Sequence, residues 1–175
     1  MNLYMMRHAN AGVRKENPEL DARRGLIKEG KQQCMLMAGV LSGLKAQVDA
    51  IVSSPLKRSL QTAQFVATEI GFEQPVVVSS ALSPTSDYTA FHEMLTQFEA
   101  CEGLLVVGHN PNLQLFLGRL ITGNGGAGLR LRKGAIARVD MVRRPPQLQW
   151  LIDPRLARTI YSSVTRSSRP KTSRK

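Results

Sequence analysis

The stretch that most limits how this chain can fold is Leu104-Leu105-Val106-Val107-Gly108-His109-Asn110-Pro111. Four consecutive aliphatic residues without polar alternation describe a strand buried on both faces, the environment of a parallel sheet covered by helices on each side. The glycine ends the strand, Asn110 reads as a helix cap, and Pro111 opens the next helix. Leu113, Phe116, Leu117, Leu120 and Ile121 then keep helical spacing until the glycines from Gly123 to Gly128. Those glycines follow a helix rather than a strand, so they form a connection and not a nucleotide loop.

The rest of the chain repeats the alternation. Leu3 to Met6 is a short apolar run closed by Arg7-His8, and a charged loop containing Pro18 follows. Cys34, Met37, Leu41 and Leu44 trace one face of a helix between Lys28 and Leu44. Asp49 to Ser53 reads as a strand, and Ser54-Pro55 as the capped start of a helix reaching about Ile70. Val76 to Val78 predicts another strand, Phe91, Met94, Leu95 and Phe98 a helix, and Ala135 to Met141 and Leu148 to Ile152 two strands joined at Pro145-Pro146. The pattern predicts one α/β domain over residues 1–153, a three-layer sandwich with a mainly parallel central sheet.

Open α/β sheets bind ligands outside the carboxyl ends of their strands. Arg7 and His8 follow the first strand, Arg58 stands in the first turn after Asp49 to Ser53, and His109 follows the Val106-Val107 strand. All four therefore belong to one edge. Guanidinium groups bind phosphate oxygens bidentately and keep their charge, so this set suits an anionic phosphoryl group. A histidine with a pKa near ~6.5 is substantially neutral at cellular pH and able to attack phosphorus. His92, beside Phe91 on a helix, reads as a flanking residue, and no histidine spacing suggests a metal site.

Three segments carry a specific resemblance. Leu3 to Ala9, with Arg7-His8 at its centre, resembles the Arg-His-Gly signature of the histidine phosphatase superfamily, the phosphoglycerate mutase-like proteins. Ser53 to Ala63 is similar to that family's second arginine motif, and Val106 to Pro111 to its second histidine motif. Arg24-Gly25-Leu26 followed by Gly30 resembles the Arg-Pro-Leu segment of its SixA-type phosphohistidine phosphatases. The resemblance implies that His8 is the nucleophile and carries a phosphohistidine intermediate, with Arg7, Arg58 and His109 around the phosphate. It implies that Arg24 is a further positive group at the substrate; Asn110, beside His109, is placed with Arg24 among the substrate-binding residues by its position, and no cofactor or metal is expected. Ala9 and Gly25 stand where the family usually has glycine and proline. Many relatives also carry a glutamate acid after the third strand, where this chain reads Ser79-Ser80-Ala81-Leu82-Ser83-Pro84. An alkoxide leaves badly without a proton, whereas imidazole departs already protonated, so the gap favours phosphohistidine unless Asp87 or Glu93 supplies an acid. The expected partner is a phosphorylated protein or a small phosphorylated substrate. Alternatives are a small-molecule phosphomonoesterase and a catalytically weak phosphoprotein-binding module.

A net charge of +11 suggests nucleic acid at first sight, but from Arg155 onward there are basic residues and no acidic one. The excess is largely a tail, residues 154–175, read as basic and disordered, with a weak contact to RNA or an acidic partner left open. Cys34 and Cys101 form no paired motif, and no apolar run is long enough to span a bilayer. The expected location is the cytoplasm.

Overall fold

Six strands form one sheet in the order β3-β2-β4-β1-β5-β6 in a computed structural model that describes residues 1–167. They are β1 (Asn2–Arg7), β2 (Ala50–Ser53), β3 (Val77–Val78), β4 (Gly103–Gly108), β5 (Ile136–Asp140) and β6 (Gln147–Ile152). The first four run parallel, while β5 and β6 are antiparallel additions beyond β1. The helices are α1 (Pro18–Ala22), α2 (Lys28–Gly43), α3 (Lys57–Glu69), α4 (Tyr88–Thr96), α5 (Asn112–Thr122) and α6 (Pro154–Ser167).

Alternation along the central strands divides the core into two layers. Leu3, Met5, Leu104 and Val106 pack with Phe91 and Phe116 from α4 and α5, and those two rings stack with centroids 4.8 Å apart. Tyr4, Met6, Leu105 and Val107 point the other way, onto Cys34 and Met37 of α2, Ala63 and Val66 of α3, and Ala157 of α6. Successive strand residues face opposite sides, so strands apolar at every position require a helical layer on each. The expected three-layer sandwich is the observed fold. A Phe91→Ala change in the first layer should cost about 3–5 kcal/mol.

Several local readings need correction. The charged loop after β1 holds α1, because Asn17 Oδ1 accepts from the amides of Glu19 and Leu20 at 2.9 and 3.3 Å and Pro18 stands in the first turn. The third strand shrinks to Val77–Val78, both exposed, because it is an edge strand paired only to β2. Ser54-Pro55 does not begin α3, which starts at Lys57 behind Leu56 and has no side-chain cap. The basic segment from residue 154, expected to be disordered, begins as α6: Asp153 Oδ1 accepts from the amides of Arg155 and Leu156 at 2.8 and 3.0 Å, and Ala157 is buried. Residues 168–175 of that segment lie outside the described residues. No helix among the described residues is long and apolar enough to cross a membrane.

Candidate active site

Strand register places the two candidate histidines side by side. β1 and β4 are parallel neighbours with Arg7 opposite Gly108, so the next residues, His8 and His109, emerge together. The His8 amide donates to the Gly108 carbonyl at 3.0 Å, and the ring centroids lie 5.0 Å apart. His8 Nδ1 is 2.8 Å from the Ala9 carbonyl oxygen, which can only accept, so Nδ1 carries the proton and Nε2 keeps its lone pair. Ser54 follows β2 on the other side of β4, and its Oγ lies 2.8 Å from His109 Nε2. The same Oγ accepts from the Leu56 amide at 3.3 Å, so Ser54 ties His109 to the turn that leads into α3.

The loop after β1 is held by small groups. Ala9 is fully buried, and its amide donates to Thr62 Oγ1 at 3.0 Å; the same hydroxyl donates to the Arg58 carbonyl at 2.7 Å. Gly30 lets α2 touch this loop, since a Cβ there would collide with the Asn10 carbonyl oxygen. At Gly25 a Cβ would meet Gln61 Oε1 at 2.8 Å, the atom that accepts from the Leu26 amide.

The arginines reach the cleft from three elements. Arg7 Nη1 donates to the Leu131 carbonyl at 3.0 Å, and Arg58 Nη1 to the Asp21 carbonyl at 2.9 Å and to Asp21 Oδ2 at 3.3 Å. Arg24 Nε donates to Asp21 Oδ1 at 2.9 Å, so one carboxylate braces two guanidiniums. Arg7 Nε, Arg58 Nε and His109 Nδ1 are buried without a partner among the described residues. Buried polar atoms are normally satisfied, and three orphans on residues of one cleft describe a place for an anion.

Electrostatics agree with that reading. His8, Arg58 and His109 are only 7%, 7% and 3% exposed. Burial, reinforced by the surrounding arginines, pushes His8 down to about 3. His109 is likewise held at about 3, by burial first and then by His8 and the arginines. Both rings are neutral at neutral pH in the free protein. An anion between them acts in the opposite direction by offsetting the arginine charge. Hydrogen bonding from Arg24, helped by the Lys15 amide, holds the Asp21 carboxyl near 2, so it stays ionised as a brace.

The structure brings Arg7, His8, Arg24, Arg58, His109 and Asn110 to one cleft of about 710 Å³. Asn110 is not a helix cap: α5 starts at Asn112 behind Pro111 without a side-chain cap, and Asn110 Nδ2 donates to the Leu131 carbonyl at 2.9 Å. Asp87 and Glu93 do not line the cleft; Asp87 Oδ1 caps α4 by accepting from the Ala90 amide at 2.9 Å, and Glu93 is exposed. Sequence reasoning missed Asp21, Thr62 and Lys133, whose Nζ donates to Asn10 Oδ1 at 3.0 Å. Asp21 stands three residues before Arg24 on one helical turn, which was the available signal.

Residues 3–86 match the histidine phosphatase superfamily (branch 1). An uncharacterised protein of Picosynechococcus sp. is 34% identical over 139 residues, 78% of this chain and 82% of its own length. The phosphohistidine phosphatase SixA of Escherichia coli is 28% identical over 126 residues, 70% of this chain and 76% of that protein. Among solved structures, the protein histidine phosphatase SixA complexed with tungstate superposes with a TM-score of 0.79 at 25% identity, over 88% of this chain and 97% of the other. A mycobacterial glucosyl-3-phosphoglycerate phosphatase shares the fold, with a TM-score of 0.64 at 17% identity over 85% of this chain and 96% of the other.

Proposed function

The chain belongs to the histidine phosphatase superfamily and is a phosphatase, and from that premise we propose that it removes the phosphoryl group from phosphohistidine on a protein. His8 Nε2 attacks phosphorus while the bond to the substrate imidazole breaks and its electron pair returns to that ring. Arg7, Arg58 and Arg24 neutralise the equatorial oxygens, and His109 donates a hydrogen bond to one of them. Water then attacks the phosphohistidine on His8, the P–Nε2 bond breaks with its electron pair returning to Nε2, and inorganic phosphate leaves. Splitting the hydrolysis in two lets one set of donors stabilise both displacements.

The observation that carries the choice of substrate is the part of the cleft wall supplied by the segment after β3. It is formed by Ser83, Pro84 and Thr85, with no carboxylate among them. Of the acidic residues lining the cleft, Asp21 is ionised between Arg24 and Arg58, and Glu16 is exposed on the loop after β1. An imidazole leaving group needs no acid from that wall, whereas an alkyl ester does. One feature favours a second reading: Glu16 lines the cleft, and as a leaving-group acid it would make the protein a small-molecule phosphomonoesterase.

The test compares a phosphohistidine peptide with sugar and aryl phosphates, using wild type, His8→Ala and Glu16→Gln. Fast release from phosphohistidine that needs His8 and ignores Glu16→Gln supports the proposal. Preference for sugar phosphates with loss of turnover in Glu16→Gln supports the second reading instead.

A further inference from the structure

A second groove, of about 380 Å³, adjoins the catalytic cleft and shares Arg7, Asn110 and Lys133 with it. Beyond that common wall its rim is set by Arg130, Arg132 and Arg155, with Glu29 and Asp153 as its acidic members. The two acids are already engaged. Asp153 pairs with Arg132 Nε at 3.3 Å and caps α6, while Glu29 Oε2 accepts from Asn10 Nδ2 at 2.7 Å. Arg130 and Arg155 are exposed and take no carboxylate among the described residues, and Lys133 Nζ is met only by the neutral Asn10 amide oxygen. Glu29 still acts on Lys133 across the groove, which leaves Arg130 and Arg155 as two exposed cations without a carboxylate partner, on a groove that adjoins the cleft of His8.

We propose that this groove docks carboxylates flanking the phosphorylated residue of a protein substrate, an inference that rests on the protein-substrate reading above. A phosphohistidine held at His8 leaves its neighbouring residues at the cleft mouth, where the shared wall leads into the groove. Arg130 and Arg155 then pair with acidic side chains one or more residues from the phosphorylated one, steering encounter as well as holding the complex. A nucleic acid fits this surface less well. No aromatic side chain lines the groove for base stacking.

The test measures binding and turnover separately. Two labelled peptides carry the same non-hydrolysable phosphohistidine analogue, one with Asp and Glu flanks and one with Ser and Asn flanks. Affinity by fluorescence anisotropy is compared for wild type and Arg130→Gln/Arg155→Gln. The acidic peptide should bind wild type roughly tenfold more tightly, with the preference shrinking as salt rises. The double variant should lose that preference while aryl phosphate turnover stays at the wild-type level, which also shows that it is folded. Equal affinity for both peptides, or a preference that survives the substitutions, overturns the proposal. So does a single-stranded RNA of equal charge that binds as tightly and loses affinity on the same substitutions. Failure to hydrolyse true phosphohistidine peptides, with the acidic preference intact, would instead count against the substrate reading alone.

Discussion

The two ends of the sheet carry clefts of nearly equal size and opposite character. At the amino ends of the parallel strands, a cleft of about 680 Å³ lies between Leu41, Ile70 and Phe72, with Asp49 at its edge. There polar groups are matched: Asp49 Oδ2 accepts from the amides of Glu102 and Gly103 at 2.8 and 2.9 Å, and Oδ1 from Gln47 at 3.1 Å. At the carboxyl ends the cleft of about 710 Å³ holds the residues of all four buried unpartnered side-chain atoms among the described residues, on Arg7, Arg58, His109 and Asn110. Each unmatched group costs about 1–3 kcal/mol, so their concentration at one edge is a cost the fold bears for a ligand. Volume does not distinguish the two ends, whereas unmet hydrogen bonding does.

Substitutions should separate the ends in the same way. His8→Ala should lower turnover of an aryl phosphate by about 10³-fold or more while leaving the urea midpoint near that of wild type. A folded variant retaining a tenth of wild-type activity would break the assignment of the carboxyl edge as the site of chemistry. Arg58→Ala should cost about 10²-fold in kcat, because in the proposed mechanism Arg58 supplies donors to the developing charge. Asp21→Asn keeps the size of the brace but weakens its hold on Arg24 and Arg58. We expect about a tenfold fall in kcat/KM with inorganic phosphate binding weakened in parallel, since only a positioning role moves both together.

His8 and His109 are lowered from 6.5 to about 3 in the folded protein, so an unfolded chain takes up protons that the folded one refuses. Their contribution is full above 6.5 and lost as pH falls toward 3, and His109→Gln should flatten the pH dependence of the urea midpoint across that window. An unchanged slope would mean that the buried rings are not the source. The smallest effect belongs to the amino end. Asp49→Ala should cost about 1 kcal/mol of stability and leave turnover per folded molecule unchanged, and a loss of turnover there would undo the contrast between the ends.

Elements with one dominant physical signal were readable from sequence. β1, β2 and β4 are apolar on both faces, and α2, α3 and α5 carry regular apolar stripes. The short α1 was hidden because no residue in it is buried and it rests on the Asn17 cap. α6 was hidden because small Ala157 provides its contact with the core, while exposed Leu156, Ile160 and Tyr161 sit among basic residues. In the site, residues directly after strands were legible because topology alone carries them to the edge. Asp21, Ser54 and Thr62 were not, since their importance lies in which side chain they touch across the fold.

The Thr62 hydroxyl, which receives the Ala9 amide and donates to the Arg58 carbonyl, makes the two halves of the cleft a single mechanical part. A chimaera that takes β1 and its loop from one relative and α3 from another would join two halves adjusted to different hydroxyls or to none. Recombination and design on this scaffold should therefore exchange the loop after β1 and the first turns of α3 together, however far apart they lie along the chain.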